Sequence, residues 1–220
     1  MHTGWRASGH GGAPDLSRVG DKRVLYVMAT EQEYTRHLRA KIDPLITGVG
    51  PIEAAAALGA TLGVLAAKDA LPDLIVALGS AGSRTLDHAG LYQASSVFYR
   101  DMDCSPLGFA RGVTPFSTEP AILPLGPMIP GIRTAMLASG ASIISGDGYT
   151  AVDADMVDME TYSYARVARL FGKPLISLRG ISDGRAPLTG ISDWTDTLEQ
   201  IGASLADALD QLKTMLKTAP

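Results

Sequence analysis

The sequence predicts a single α/β domain with a mixed, largely parallel central sheet flanked by helices. Three observations carry this. Short apolar, often β-branched runs at residues 23–28, 45–47, 74–78 and 175–178 alternate with stretches of helical spacing, the pattern of strands joined by helical crossovers. The runs are continuously apolar and bounded by turn residues, as buried strands are. The chain has 220 residues, 46% hydrophobic and 19% charged. That is a globular composition, and single cores grow to roughly 250 residues.

Residues 1–21 read as a flexible tail and are set outside the fold, leaving the domain over residues 22–218. The start is rich in glycine and lacks the apolar stretch of a secretory signal. Residues 23–28 form a first strand, left through Ala29 to Tyr34 with a helix running on towards Lys41. Residues 45–47 form a second strand ending in Gly48-Val49-Gly50, and Pro51 opens a helix over residues 52–68, proline being tolerated in a first turn. Residues 74–78 are a third strand, ending in the small-residue loop Gly79-Ser80-Ala81-Gly82-Ser83. Residues 95–99 form another strand, followed by a loop over 100–118. Residues 121–145 hold prolines and two short apolar runs, the second at 141–145. A helix from Met159 to Phe171 stops at Gly172. Pro174 starts the strand at 175–178. A last helix runs from Ser192, its N-cap, to Lys217, on a stripe of Leu198, Ile201, Leu205, Leu209, Leu212 and Leu216.

Composition excludes several function classes. The formal net charge is -4 without a long basic run, so nucleic acid and anionic membranes are not expected partners. The longest apolar stretch, residues 54–67, is broken by Gly59, Thr61 and Gly63 and falls short of the ~20 residues of a membrane span. Cys104 is the only cysteine, which forbids an internal disulfide and favours a reducing cytoplasm. A dinucleotide fingerprint on Gly48-Val49-Gly50 fails because position 53 is Glu53. A nucleophile elbow on Ser80 fails because Leu78 stands where glycine is needed and only His88 follows. The histidines are scattered, so neither a metal nor another cofactor is expected.

What remains is carboxylates beside glycine-rich turns: Glu33, Glu160 and Asp183. Each also has a structural reading. Glu33 and Glu160 suit a first helical turn, where the dipole favours an acid, and Asp183 in Ser182-Asp183-Gly184 suits a turn.

Taken in order, seven segments resemble the purine nucleoside phosphorylase superfamily, and within it the 5'-methylthioadenosine/S-adenosylhomocysteine nucleosidases. They are Met28-Ala29-Thr30-Glu31-Gln32-Glu33, Thr47-Gly48-Val49-Gly50-Pro51, and Pro72-Asp73-Leu74-Ile75 with Gly79-Ser80-Ala81-Gly82. Tyr99-Arg100-Asp101-Met102-Asp103 follows, with Gly108-Phe109 and Pro115. Ser145-Gly146-Asp147, Asp158-Met159-Glu160 and Arg179-Gly180-Ile181-Ser182-Asp183 complete the set.

The resemblance implies cleavage of the N-ribosyl bond of an adenine nucleoside through an oxocarbenium-like state, as in glycoside hydrolysis. By resemblance Asp183 protonates or hydrogen-bonds N7 of the leaving adenine, and Glu33 activates the attacking water. Glu160 holds the ribose hydroxyls and Met159 packs on the sugar. Val49, Ser80, Ala81, Gly82, Thr150, Asp158 and Ser182 match substrate-pocket positions, and Arg179 matches a residue behind the site. Tyr149 takes the place of a phenylalanine that stacks on the base. Trp194 corresponds to an aromatic lining the 5' side. The loop holding Leu107, Phe109 and Pro115 caps the partner subunit's site in the family, which implies a homodimer.

Phosphorylases of this superfamily carry arginines for phosphate, whereas here the first loop reads Ala29-Thr30-Glu31-Gln32-Glu33. A carboxylate there repels phosphate and suits water, so hydrolysis is favoured. A phosphorylase of the same fold and a non-catalytic nucleoside-binding protein are the alternatives. The chain is short for the family between Glu33 and Thr47 and again after Pro115, and Arg100 and Asp158 replace a histidine and a glutamate. The 5' substituent stays open among adenosine, methylthioadenosine, S-adenosylhomocysteine, 5'-deoxyadenosine and a futalosine-type nucleoside.

Overall fold

The computed structural model describes residues 16–218. In chain order its elements are β1 (Ser17–Val19), β2 (Lys22–Met28), α1 (Arg36–Arg39), β3 (Leu45–Ile46), α2 (Pro51–Ala66), β4 (Leu74–Gly82) and β5 (Leu91–Tyr99). Then come β6 (Ile122–Pro124), β7 (Thr134–Ser139), β8 (Met156–Asp158), α3 (Thr161–Leu170), β9 (Leu175–Asp183), α4 (Ser192–Thr195) and α5 (Leu198–Thr218). All nine strands belong to one mixed sheet.

β4 is the hinge of the topology. Its first half pairs in parallel with β2, and its whole length pairs in parallel with β9. β9 continues antiparallel to β5, β5 parallel to β7, and β7 parallel to β8. The ring closes where Gly82 of β4 bridges Val157 of β8. β2 carries β1 and β3 outside the ring, and β6 pairs with β5.

Strands covered on both faces bury alternate residues in two cores. Along β2, Leu25 and Val27 face Leu58 and Leu62 of α2 and Tyr164 and Ala165 of α3. Val24, Tyr26 and Met28 face the other way, onto Leu205, Leu209 and Leu212 of α5. Each such leucine, taken fully out of water, contributes about 1.5–3 kcal/mol. The α5 contact is close: Ile201 Cγ1 lies 2.7 Å from where a Cβ on Gly180 would stand. Any larger residue at 180 would push α5 off the sheet.

The structure corrects several boundaries. Of the expected tail, residues 1–15 lie outside the described residues, but Leu16 packs on the core and β1 pairs with β2. The fold therefore begins before residue 22, because Gly20 at φ 64° folds β1 back as a hairpin. Gly79 to Gly82, expected as a loop, is the second half of β4, held by its register with Arg179 to Asp183 of β9. The helix expected to reach Lys41 is only the single turn of α1. The expected helix from Met159 starts two residues later, and Asp158 ends a strand instead. β7 went unforeseen because its alanines carry little β-propensity; β5 and β8 on its two sides impose it. The last helix is divided into α4 and α5, so Ser192 starts the former and caps neither.

Candidate active site

A cavity of about 420 Å³ opens at the carboxyl ends of β2, β4 and β9, beside the end of β8 and the start of α3. Such strand ends are where an α/β sheet leaves room for a ligand. Its floor carries Glu33, Ser80, Asp158, Glu160, Ser182 and Asp183, all named from the sequence. Val49, Ala81, Gly82, Met159 and Trp194 also line it.

Glu33 hangs from a turn just past β2, where the Glu33 N–H donates to Thr30 O at 3.3 Å. Its carboxyl is buried, and Oε1 accepts two hydrogen bonds of 2.7 Å, from the Ser80 N–H and hydroxyl. Burial pushes this carboxyl up, opposed by the Ser80 bonds and by Arg179 and reinforced by Asp158. Gly79 is small for this reason: a Cβ there would stand 2.6 Å from Arg179 Nη1 and 3.0 Å from Glu33 Oε1.

Glu160 sits at the cap position of α3, and its Oε1 accepts the Gly50 N–H at 2.8 Å. Burial, with Asp158 next, pushes it up to about 7. Two buried carboxyls of one cavity thus both resist ionisation.

Asp158 has a different task from the one expected of a substrate contact. Its Oδ2 accepts Arg179 Nε at 3.1 Å, Arg179 Nη2 at 3.0 Å and the Thr161 hydroxyl at 2.5 Å. The Ser139 hydroxyl occupies Oδ1. Both oxygens are thus occupied, Oδ2 in a buried ion pair that fixes Arg179 behind the cavity rather than in its lining. The buried hydroxyl of Tyr164 meets Thr47 Oγ1 at 2.5 Å, tying α3 to the loop after β3.

Asp183 ends β9, and its Oδ1 accepts the Ser182 hydroxyl at 2.6 Å. Gly184 follows at φ 111°, where a Cβ would meet the Ser83 carbonyl oxygen at 2.5 Å. Tyr149 is brought to this corner but not into the lining. Its hydroxyl presses on Gly82 and has no hydrogen-bond partner among the described residues. Burial, with Asp183 second, pushes that phenol up. Thr150 is not brought to the cavity: it is exposed, and its hydroxyl donates to Asp147 O at 2.7 Å. Leu107, Phe109 and Pro115 lie on the loop after β5, outside this chain's own cavity. Leu107 is 77% exposed there, and Phe109 meets Phe116 edge-on at 5.8 Å.

The mouth has an apolar wall that the sequence reading missed. Ile143 and Ile144 line it from the loop after β7, and Leu188 and Ile191 from the loop after β9. The two loops are stitched together by the Leu188 N–H donating to Ser145 Oγ at 2.8 Å. Arg100 ties the first loop to β8 through the carbonyls of Ser142 and Asp158. The available signal was the Ile143-Ile144 pair in an otherwise loop-like segment; Ile143 is 71% and Ile191 75% exposed. Apolar side chains left on a rim mark a binding surface.

The phosphorylase superfamily profile matches residues 145–219. The chain is 30% identical over 158 residues to a 5'-methylthioadenosine/S-adenosylhomocysteine nucleosidase of Haemophilus influenzae (strain PittEE), spanning 64% of this chain and 67% of that protein. Its fold is that of the Helicobacter pylori 5'-methylthioadenosine/S-adenosylhomocysteine nucleosidase crystallised with butyl-thio-DADMe-Immucillin-A. That match has TM-score 0.72 at 19% identity, covering 89% of this chain and 98% of the other. The futalosine hydrolase of Helicobacter pylori strain 26695 has the same fold, with TM-score 0.73 at 19% identity and coverage of 86% and 96%. Among the described residues, no helix is long and apolar enough to cross a membrane.

Proposed function

The chain belongs to the 5'-methylthioadenosine/S-adenosylhomocysteine nucleosidase family, and from that premise we propose how its residues divide the work. It is an N-ribosyl hydrolase of adenine nucleosides. In the proposed mechanism the C1'–N9 bond breaks and its electron pair leaves with adenine, which Asp183 protonates or hydrogen-bonds at N7. Water attacks C1' from the other side of the sugar, and Glu33 takes its proton. Glu160 holds the ribose hydroxyls, with Met159 against the sugar. Arg179, neutralised by Asp158, stands behind Glu33 and favours its charged form.

The observation that carries this reading is that Glu33, Glu160 and Asp183, from three separate elements, line one cavity. Structural acids have no reason to converge on an empty space. The test is release of adenine from methylthioadenosine, S-adenosylhomocysteine and adenosine, with inosine as control, each with and without phosphate. Hydrolysis predicts adenine and free ribosyl sugar without phosphate; a strict phosphate requirement would make the chain a phosphorylase. Glu33→Gln and Asp183→Asn should each lower kcat by about 10²–10⁴-fold in a folded protein. Full turnover by either would remove that residue from the mechanism, and loss of nucleoside binding by Glu33→Gln would make Glu33 structural.

The working unit we propose is a homodimer in which Leu107, Phe109 and Pro115 cover the partner's cavity. The support is a loop that presents Leu107 and Phe116, at 77% and 98% exposure, to solvent. Light scattering that gives a monomer at assay concentration would refute it.

A further inference from the structure

One polar atom of the apolar wall reaches the catalytic centre. The Trp194 indole N–H donates to Ser80 Oγ at 2.8 Å. An indole nitrogen only donates, so the Ser80 oxygen is the acceptor and keeps a single proton of its own to give. That proton goes to Glu33 Oε1 at 2.7 Å, where the Ser80 backbone N–H also donates at 2.7 Å. The chemistry leaves one direction for the chain of bonds: Trp194 to Ser80 to Glu33. Oε1 then accepts twice, while Oε2 accepts nothing from the described residues and is the atom left to take a proton.

We infer that Trp194 is a positioning residue for Glu33: with its indole seated on Ser80, the serine hydroxyl is held as a donor, Oε1 is pinned, and Oε2 is presented as the base. This rests on the reading of Glu33 as the base that activates water. It goes beyond an aromatic wall, because a wall needs only the ring.

The setting makes the link responsive to a bound nucleoside. Trp194 rides on α4, whose preceding turn is clasped by Asp193 Oδ2, which accepts Thr189 N–H at 2.6 Å and Gly190 N–H at 3.2 Å. Leu188 and Ile191 of the same segment line the cavity with Trp194. A ligand that fills the apolar mouth therefore settles the wall and the Ser80 bond together.

The charged groups facing Glu33 are Arg179 from β9, Asp158 from β8 and Glu160 from the start of α3. Trp194 carries no charge, so replacing it by phenylalanine leaves all of these charges in place and removes the donor together with part of the ring. Without that donor the Ser80 hydroxyl is free to rotate, and the ionised form of Glu33 loses support. Its proton is then held more tightly, so the acid limb of the rate profile moves to higher pH.

The experiment measures adenine release from methylthioadenosine between pH 5 and 9 for wild type, Trp194→Phe, Ser80→Ala and the double variant. Trp194→Phe should lower kcat by about tenfold and move the acid limb of kcat up by about half a pH unit or more, the effect of weakening the Ser80 hydrogen bond to the charged Glu33. KM should stay within about threefold, since the ring still fills the wall. In the Ser80→Ala background the same change should do nothing further. Incorporation of benzothienylalanine at 194, which replaces the N–H by sulfur at constant shape, covers the case in which phenylalanine disturbs folding. An unmoved acid limb, an effect confined to KM, or an equal effect without the Ser80 hydroxyl would overturn the assignment. Full turnover by Glu33→Gln would instead remove the premise, an outcome that the Trp194 variants cannot mimic.

Discussion

Glu160→Gln separates the needs of the site from the needs of the fold. The Glu160 carboxyl is pushed from 4.5 to about 7, chiefly by burial and then by Asp158. The folded protein thus holds this proton more tightly than the unfolded chain does. Between pH 4.5 and 7 unfolding releases it, so stability falls as pH rises through that window and is flat above it. At about 1.4 kcal/mol per pH unit the loss is at most about 3.5 kcal/mol, and less to the extent that neighbouring carboxyls share the proton. Glutamine keeps the shape and keeps an oxygen for the Gly50 N–H, but it never ionises. The variant without ligand should therefore melt above wild type at pH 8, by up to about 7–14 °C at about 2–4 °C per kcal/mol for a chain of this size. At pH 4.5 the two should melt within a degree or two of each other, by the same linkage. Thermal melts at both pH values, beside adenine-release kinetics, are the assay. Activity should fall while stability rises, the mark of a charge kept for the ribose. A glutamine variant that melts below wild type at pH 8 would show that ionised Glu160 stabilises the fold and would refute the reasoning.

Arg179→Ala strands Asp158 in the interior with its pair gone. It should cost about 3–5 kcal/mol, read as a lowered urea midpoint, and a loss under 1 kcal/mol would mean that water replaces the pair. Gly82→Ala would set a methyl 2.9 Å from Asp183 Oδ2 and against the Tyr149 hydroxyl. We expect a drop in kcat of about tenfold or more, as small misplacements of a reacting group produce. Unchanged kinetics would mean that this corner yields freely.

The sequence by itself determined the α/β class, the strands at β2, β3, β4 and β9, and the three acids that meet in the cavity. Those features are local: continuous apolar runs, glycine and proline stops, and acids at the ends of runs are visible in a window of a few residues. Segment order added the family, which no single motif could. Several things were decided only by tertiary contact. The glycines of Gly79 to Gly82 read as a loop, yet β9 recruits them as strand because only residues without bulk leave room for Arg179 and Glu33 beside them. Asp158 matched a substrate position, yet its two oxygens are spent on Arg179, Thr161 and Ser139, partners that the fold alone brings to it. The apolar wall joins loops more than 40 positions apart through Ser145 and Leu188. The bond from Trp194 to Ser80 spans 114 positions of the chain. A hydrogen bond carries no trace in the sequence of either partner when their separation is set by the packing of a helix on a sheet. What local patterning gives is the elements and the chemistry they carry; which of those groups are left free to act is settled only when the closed sheet assigns neighbours such as Asp158 and Arg179 their partners.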